Sequence, residues 1–64
     1  MKIDSKKLKI AMARKCMCSR ELAKECGLSF STICSYMNGK KAPNLKSLGK
    51  IAKALDVDPE TLID

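Results

Sequence analysis

The stretch from Ser19 to Gly39, SRELAKECGLSFSTICSYMNG, leaves this chain the least conformational freedom. Leu22, Ala23 and Cys26 recur at helical spacing and give a first short helix an apolar side, with Glu21 and Glu25 on its wet side. Gly27 ends that helix where a left-handed residue is needed, a conformation only glycine adopts without strain. Ser29 then stands as an N-cap whose hydroxyl accepts an orphan backbone N–H of the next turn. A second helix runs from Phe30 to Met37, and Asn38-Gly39 stops it. The pattern is helix, tight turn of about three to four residues, helix.

The flanking segments supply further helices. Asp4 caps a helix predicted to reach about Lys15, with Leu8, Ala11 and Met12 toward the core and Lys6, Lys9 and Arg14 outside. Met1 to Ile3 reads as a short arm, and Met17 tucks in after the helix. Asn44 caps a fourth helix through Leu55, whose buried stripe is Leu45, Leu48, Ile51, Ala52 and Leu55. Asp58-Pro59 opens a last short helix, proline being favoured at the first helical position. Val57, Leu62 and Ile63 then close the core. The expectation is a compact all-α domain of five helices over residues 1–64, with no strand, linker or internal repeat.

A chain of 64 residues allows one domain with a small core and little room for an enclosed catalytic cleft. It holds no histidine, and its acids form no paired arrangement, so general acid–base chemistry has few candidates. No apolar run approaches the ~18 residues of a membrane span, and the basic N-terminus leads into no signal-peptide core. A soluble, cytoplasmic chain without an effector domain is expected.

The formal charge is +6, from 13 Lys and Arg against 7 Asp and Glu. All the bases lie before Asp56, among only three acids (Asp4, Glu21, Glu25); the acidic end carries Asp56, Asp58, Glu60 and Asp64. A basic body of this kind favours a polyanion such as nucleic acid; taken alone, it is more simply the mark of a solvated lysine-rich surface, and the helix-turn-helix pattern turns the reading to nucleic acid.

The four cysteines, Cys16, Cys18, Cys26 and Cys34, contain no Cys-x2-Cys pair and have no histidine to complete a zinc pattern. They read as reduced thiols, Cys26 as a small core hydrophobe. Thiol sensing at Cys16 and Cys18, the pair expected to be exposed, is the minor alternative. No metal or cofactor is implied.

The run ELAKECGLSFSTICSYMNGKKAPNLKSLGKIAKAL resembles the lambda-repressor-like helix-turn-helix family. Its landmarks are Glu21-Leu22-Ala23, Gly27-Leu28-Ser29, Ser31-Thr32-Ile33, Asn38-Gly39-Lys40, Pro43 and Ile51-Ala52-Lys53-Ala54-Leu55. Each is common, but their joint order and spacing are specific, and the resemblance covers roughly Leu8 to Ile63. The chain departs from the family in two places. A glycine often stands where Cys16 is, and a serine or asparagine at the N-cap held here by Cys18. Many relatives also carry a partly buried arginine and glutamate where this chain has Met12 and Met37. Two adaptable apolar side chains in place of a desolvated ion pair read as core packing.

In such a motif the second helix lies in the major groove. Phe30, Ser31, Cys34 and Ser35 share the outer face of that helix, while Ile33, Tyr36 and Met37 point inward. By resemblance, Phe30, Ser31 and Ser35 occupy base-reading positions, and Ser29 and Thr32 lie beside a phosphate. Phe30 would press on a thymine methyl; its alternative is partial burial against a neighbouring element. The face has no Arg, Gln or Asn of its own, the side chains that make bidentate base contacts. Ser19 and Arg20 open the first motif helix, whose N-terminal amides can meet a phosphate. Asn38, Lys40 and Lys41 fall in the loop where the family meets the sugar-phosphate backbone.

The implied partner is double-stranded DNA, with no membrane and no small-molecule ligand. The resemblance also implies a homodimer on an inverted repeat, with Leu62 and Ile63 as candidates for the dimer surface should either be exposed. The expected role is a sequence-specific transcriptional regulator, most simply a repressor, and not an enzyme. An antitoxin or mobile-element accessory role is the alternative within DNA binding. A protein-interaction adaptor is the alternative outside it, although an adaptor has no need of Arg20, Lys40 and Lys41 around the uncharged face.

Overall fold

A computed structural model of the chain describes residues 2–63. Four α-helices follow one another, α1 Ser5–Arg14, α2 Ser19–Cys26, α3 Phe30–Met37 and α4 Leu45–Leu55, and a 3₁₀ helix spans Pro59–Leu62. Every element contributes a fully buried aliphatic side chain to one core: Leu8, Leu22, Ile33, Ile51 with Leu55, and Leu62. α2 packs on both α3 and α4, while α1 packs on α3 and the 3₁₀ helix. Among the described residues no helix is long and apolar enough to cross a membrane.

Each helix but α2 starts at an oxygen-bearing cap found in the expected place. Asp4 Oδ1 accepts the N–H groups of Lys6 and Lys7 at 2.9 and 3.2 Å. Ser29 Oγ accepts from Thr32 N–H at 3.2 Å, and Asn44 Oδ1 from Ser47 N–H at 2.8 Å. Asp58 Oδ1 accepts from Glu60 N–H at 3.1 Å at the head of the 3₁₀ helix. These bonds satisfy donors that no helical carbonyl reaches. At α2 the cap is Cys18, and the Glu21 carboxylate folds back to accept the Cys18 N–H at 3.1 Å. That hydrogen bond holds the Glu21 carboxyl below its ordinary range.

The helix ends share one geometry. The N–H two residues past the last full turn returns to a carbonyl five residues back: Met17 to Met12 at 3.0 Å, Leu28 to Ala23 at 2.9 Å, Lys40 to Ser35 at 2.9 Å and Val57 to Ala52 at 3.0 Å. The residue before each of these donors is left-handed: Cys16 (φ 53°), Gly27 (70°), Gly39 (75°) and Asp56 (55°). Two of the four closures therefore use glycine, and two force an L side chain into a region costing about 1–2 kcal/mol.

Three sequence expectations are corrected. The fifth helix is a single 3₁₀ turn, its four residues being too few to propagate an α-helix. The segment Met1 to Ile3 is not a free arm where it is described. Ile3 is buried and forms an antiparallel bridge with Ile63, and Asp4 N–H donates to the Leu62 carbonyl at 2.8 Å. Met1 lies outside the described residues, as does Asp64. Leu45 is 78% exposed rather than part of the α4 stripe. The first two residues of α4 overhang the core, and Pro43, Ser47 and Leu48 are the buried residues there. Leu62 is fully buried, in line with its expected place in the core, and so is no dimer candidate; Ile63 is half-buried.

Candidate nucleic-acid interface

The α2–α3 unit owes its geometry to the Gly27 closure and the Ser29 cap, which turn the chain within three residues. Ile33 and Tyr36 bury the inner face of α3, and Met37 is half-buried against the same core. The outer face is left with Phe30 and Ser31 exposed and Thr32, Cys34 and Ser35 half-buried.

At the start of α3 three hydroxyls cluster. Ser29 Oγ lies 2.7 Å from Thr32 Oγ1 and 3.3 Å from Ser31 Oγ. Ser29 already accepts the Thr32 backbone N–H, so its own proton can turn outward to an acceptor such as a phosphate oxygen. The helix N-terminus beneath adds partial positive charge to the same spot.

The guanidinium of Arg20 lies 5.0 Å from the centroid of the Phe30 ring. Phe30 is 44% exposed, so this contact lies at the rim of the protein and not in its core. Sequence reasoning places Arg20 beside a phosphate and Phe30 on a base without joining them. The two are ten positions apart on different helices, and only the α2–α3 packing brings them together.

Ser19 is arranged differently from its neighbour. Its hydroxyl donates to Met37 Sδ at 3.4 Å and is partly buried. Ser19 and Arg20 nevertheless provide the first backbone N–H groups of α2, which lie beyond the reach of any helical carbonyl. Beyond α3, the Ser35 carbonyl accepts the backbone N–H groups of Lys40 and Lys41 at 2.9 and 3.3 Å. This holds the loop against the end of α3 and leaves Asn38, Lys40 and Lys41 exposed.

The ten residues singled out in the sequence thus fall into three groups: the α2 start (Ser19, Arg20), the α3 face (Ser29, Phe30, Ser31, Thr32, Ser35) and the following loop (Asn38, Lys40, Lys41). Two surface grooves lie elsewhere. One is lined by Lys7, Ile10, Ala11, Arg14, Val57 and Thr61, another by Glu25, Cys26, Lys50, Lys53 and Ala54, and neither includes a residue of α3. The cysteines are free thiols, Cys16 and Cys18 exposed, Cys34 half-buried and Cys26 buried. Burial, reinforced by the neighbouring Glu25 charge, pushes the Cys26 thiol up.

A family model described as helix-turn-helix matches residues 8–62. The chain belongs to this helix-turn-helix family and is of the lambda-repressor-like type. Among solved structures it is similar to the restriction-modification controller protein C.AhdI from Aeromonas hydrophila. That match has a TM-score of 0.84 and 27% identity over 92% of this chain and 89% of the other. It is similar also to a Bacteroides fragilis protein described provisionally as DNA-binding, with a TM-score of 0.80 and 38% identity over 91% and 94% of the two chains. A segment amounting to 14% of PhpD shares the fold, with a TM-score of 0.83 at 23% identity over the full length of this chain. Comparison with curated proteins gave no match.

Proposed function

We propose that this DNA-binding transcription regulator sets α3 in the major groove of an operator and represses by occupying it as a homodimer. The observation that carries this reading is the α3 face itself. An apolar ring and small hydroxyls stand outward from a helix whose inner side is buried, between Arg20 at one end and Lys40 and Lys41 at the other. An α-helix fits the width of the major groove. Phe30 is suited to a thymine methyl, and Ser31 and Ser35 to donor or acceptor edges. The Ser29–Thr32 hydroxyl pair, the first amides of α2 and the Asn38–Lys41 loop are suited to the phosphates on either side. Such contacts fix register without reading sequence. The likeness to a restriction-modification controller protein supports regulation of transcription over enzymatic action.

Size supports the dimer reading. The molecule measures 25 × 22 × 19 Å, less than the ~34 Å of one helical turn. One copy spans one half-site, and two copies are needed for an inverted repeat. Selection from a random duplex pool at near-physiological salt tests this reading. The expected product is a palindromic motif with half-sites about ten base pairs apart. An asymmetric single site would contradict the dimer, and binding that enriches no motif and is lost on adding salt would contradict the operator.

A further inference from the structure

We propose that Arg20 and Phe30 act as one base-reading unit, in which Arg20 recognises a guanine beside the thymine that Phe30 contacts. This rests on the operator reading above and names the base step that the reading lacks.

The outer face of α3 has no side chain able to make two hydrogen bonds to one base edge. A phenyl ring and serines distinguish a thymine methyl from its absence but discriminate weakly among the remaining bases. The missing fork comes from α2. The Arg20 guanidinium lies over the Phe30 ring at 5.0 Å, drawn there by the negative face of the ring. A π contact consumes no N–H donor, so the guanidinium keeps its hydrogen-bonding capacity for a ligand. Glu21, the adjacent acid, is turned to the Cys18 N–H at 3.1 Å.

The ring also limits where the guanidinium can go. A planar fork that is already oriented loses less entropy when it binds than a free side chain does. Its partner of matching geometry in the major groove is the O6/N7 edge of guanine. The 5.0 Å separation compares with a rise of about 3.4 Å per base along a strand. The ring and the guanidinium therefore fall on the same or adjoining base pairs, and thymine and guanine are read as neighbours. Arg20 sits on the helix before the recognition helix, where a phosphate role is the simple assumption; its contact with Phe30 assigns it to the bases.

The test is selection from random duplexes with the full chain and two variants, Arg20→Lys and Phe30→Leu. Arg20 is exposed, and lysine keeps its charge while removing the fork. The wild type is expected to enrich thymine adjoining guanine at a fixed place in each half-site. Arg20→Lys should lose the guanine preference by about 10- to 100-fold, with the rest of the half-site and the salt dependence retained. Phe30→Leu keeps an apolar group for the methyl but removes the ring, and should weaken the guanine preference as well.

An unchanged motif with Arg20→Lys would overturn the proposal and return Arg20 to a phosphate. Guanine preference intact in Phe30→Leu would overturn the coupling between the two residues. A wild-type chain that enriches no motif would overturn the operator reading, and this proposal with it.

Discussion

The Arg20 guanidinium stands over the Phe30 ring at 5.0 Å, joining the first turn of α2 to the first residue of α3. The contact is made at the rim, where both side chains remain open to a ligand. It ties the only aromatic group on the outer α3 face to a cation that the sequence alone assigns to a separate task.

Phe30→Ala is expected to relax preference at one or two base pairs, costing about 1–3 kcal/mol against the preferred site. Folding stability should fall far less. The ring is 44% exposed, and an exposed cation–π interaction is worth about 0.5–1 kcal/mol. Competition binding with the selected duplex and its single-base variants measures the first effect, and urea unfolding the second. A large stability loss with an unchanged motif would make Phe30 a packing residue.

Replacing Lys40 and Lys41 together with alanine should weaken binding to every duplex alike. The slope of log affinity against log salt should flatten by about 0.9 for each phosphate that is no longer neutralised. The loop itself should hold, because its backbone amides are anchored on the Ser35 carbonyl. An unchanged slope would remove both lysines from the interface.

Cys16→Gly should stabilise the fold. At φ 53° an L side chain costs about 1–2 kcal/mol, and the added freedom of glycine in the unfolded chain takes back about 0.4–1 kcal/mol. The net gain is about 0.8 kcal/mol at the middle of a range of about 0–1.6 kcal/mol. Gly27→Ala is the converse: a Cβ there meets nothing within 4 Å, yet φ is +70°. Its cost of about 1 kcal/mol is strain and not collision. Both are read as shifts of the urea midpoint at constant m-value under reducing conditions. A Cys16→Gly protein less stable than the parent would show that the thiol contributes packing.

Acid should loosen the start of α2. The Cys18 N–H bond depresses the Glu21 carboxyl in the folded chain. Its contribution is therefore complete above the ordinary carboxylate range and disappears as pH falls through the lowered folded value. Glu21→Gln should reduce the slope of stability against pH in that window and leave it unchanged near neutrality. An identical acid limb in the variant would show that the bond adds nothing.

Features set by neighbouring residues are legible in the sequence. Asp4, Ser29, Asn44 and Asp58 cap their elements as the pattern predicts, because each reaches an amide two or three residues away. The inward faces of α1 and α3 are legible for the same reason, helical spacing being local. What escapes depends on distance along the chain. The Ile3–Ile63 bridge joins the two ends of the molecule and has no periodic signal. Leu45 has the right spacing for the α4 stripe, but spacing states which face a residue occupies and not whether core lies opposite it. Arg20 and Phe30 each look like separate contacts, since helical wheels say nothing about how two helices meet. The left-handed Cys16 is foreshadowed only by the glycine that relatives of this type often carry there.

The start of α2, the outer face of α3 and the following loop are proposed to form one DNA-binding surface. Titrating the isotopically labelled chain with a short mixed-sequence duplex at low salt, and following its backbone amide resonances, tests this most directly. The largest shifts are expected at Ser19, Arg20, Ser29 to Thr32 and Asn38 to Lys41. Shifts gathered instead around Lys7, Ile10 and Thr61, with α3 unmoved, would contradict it.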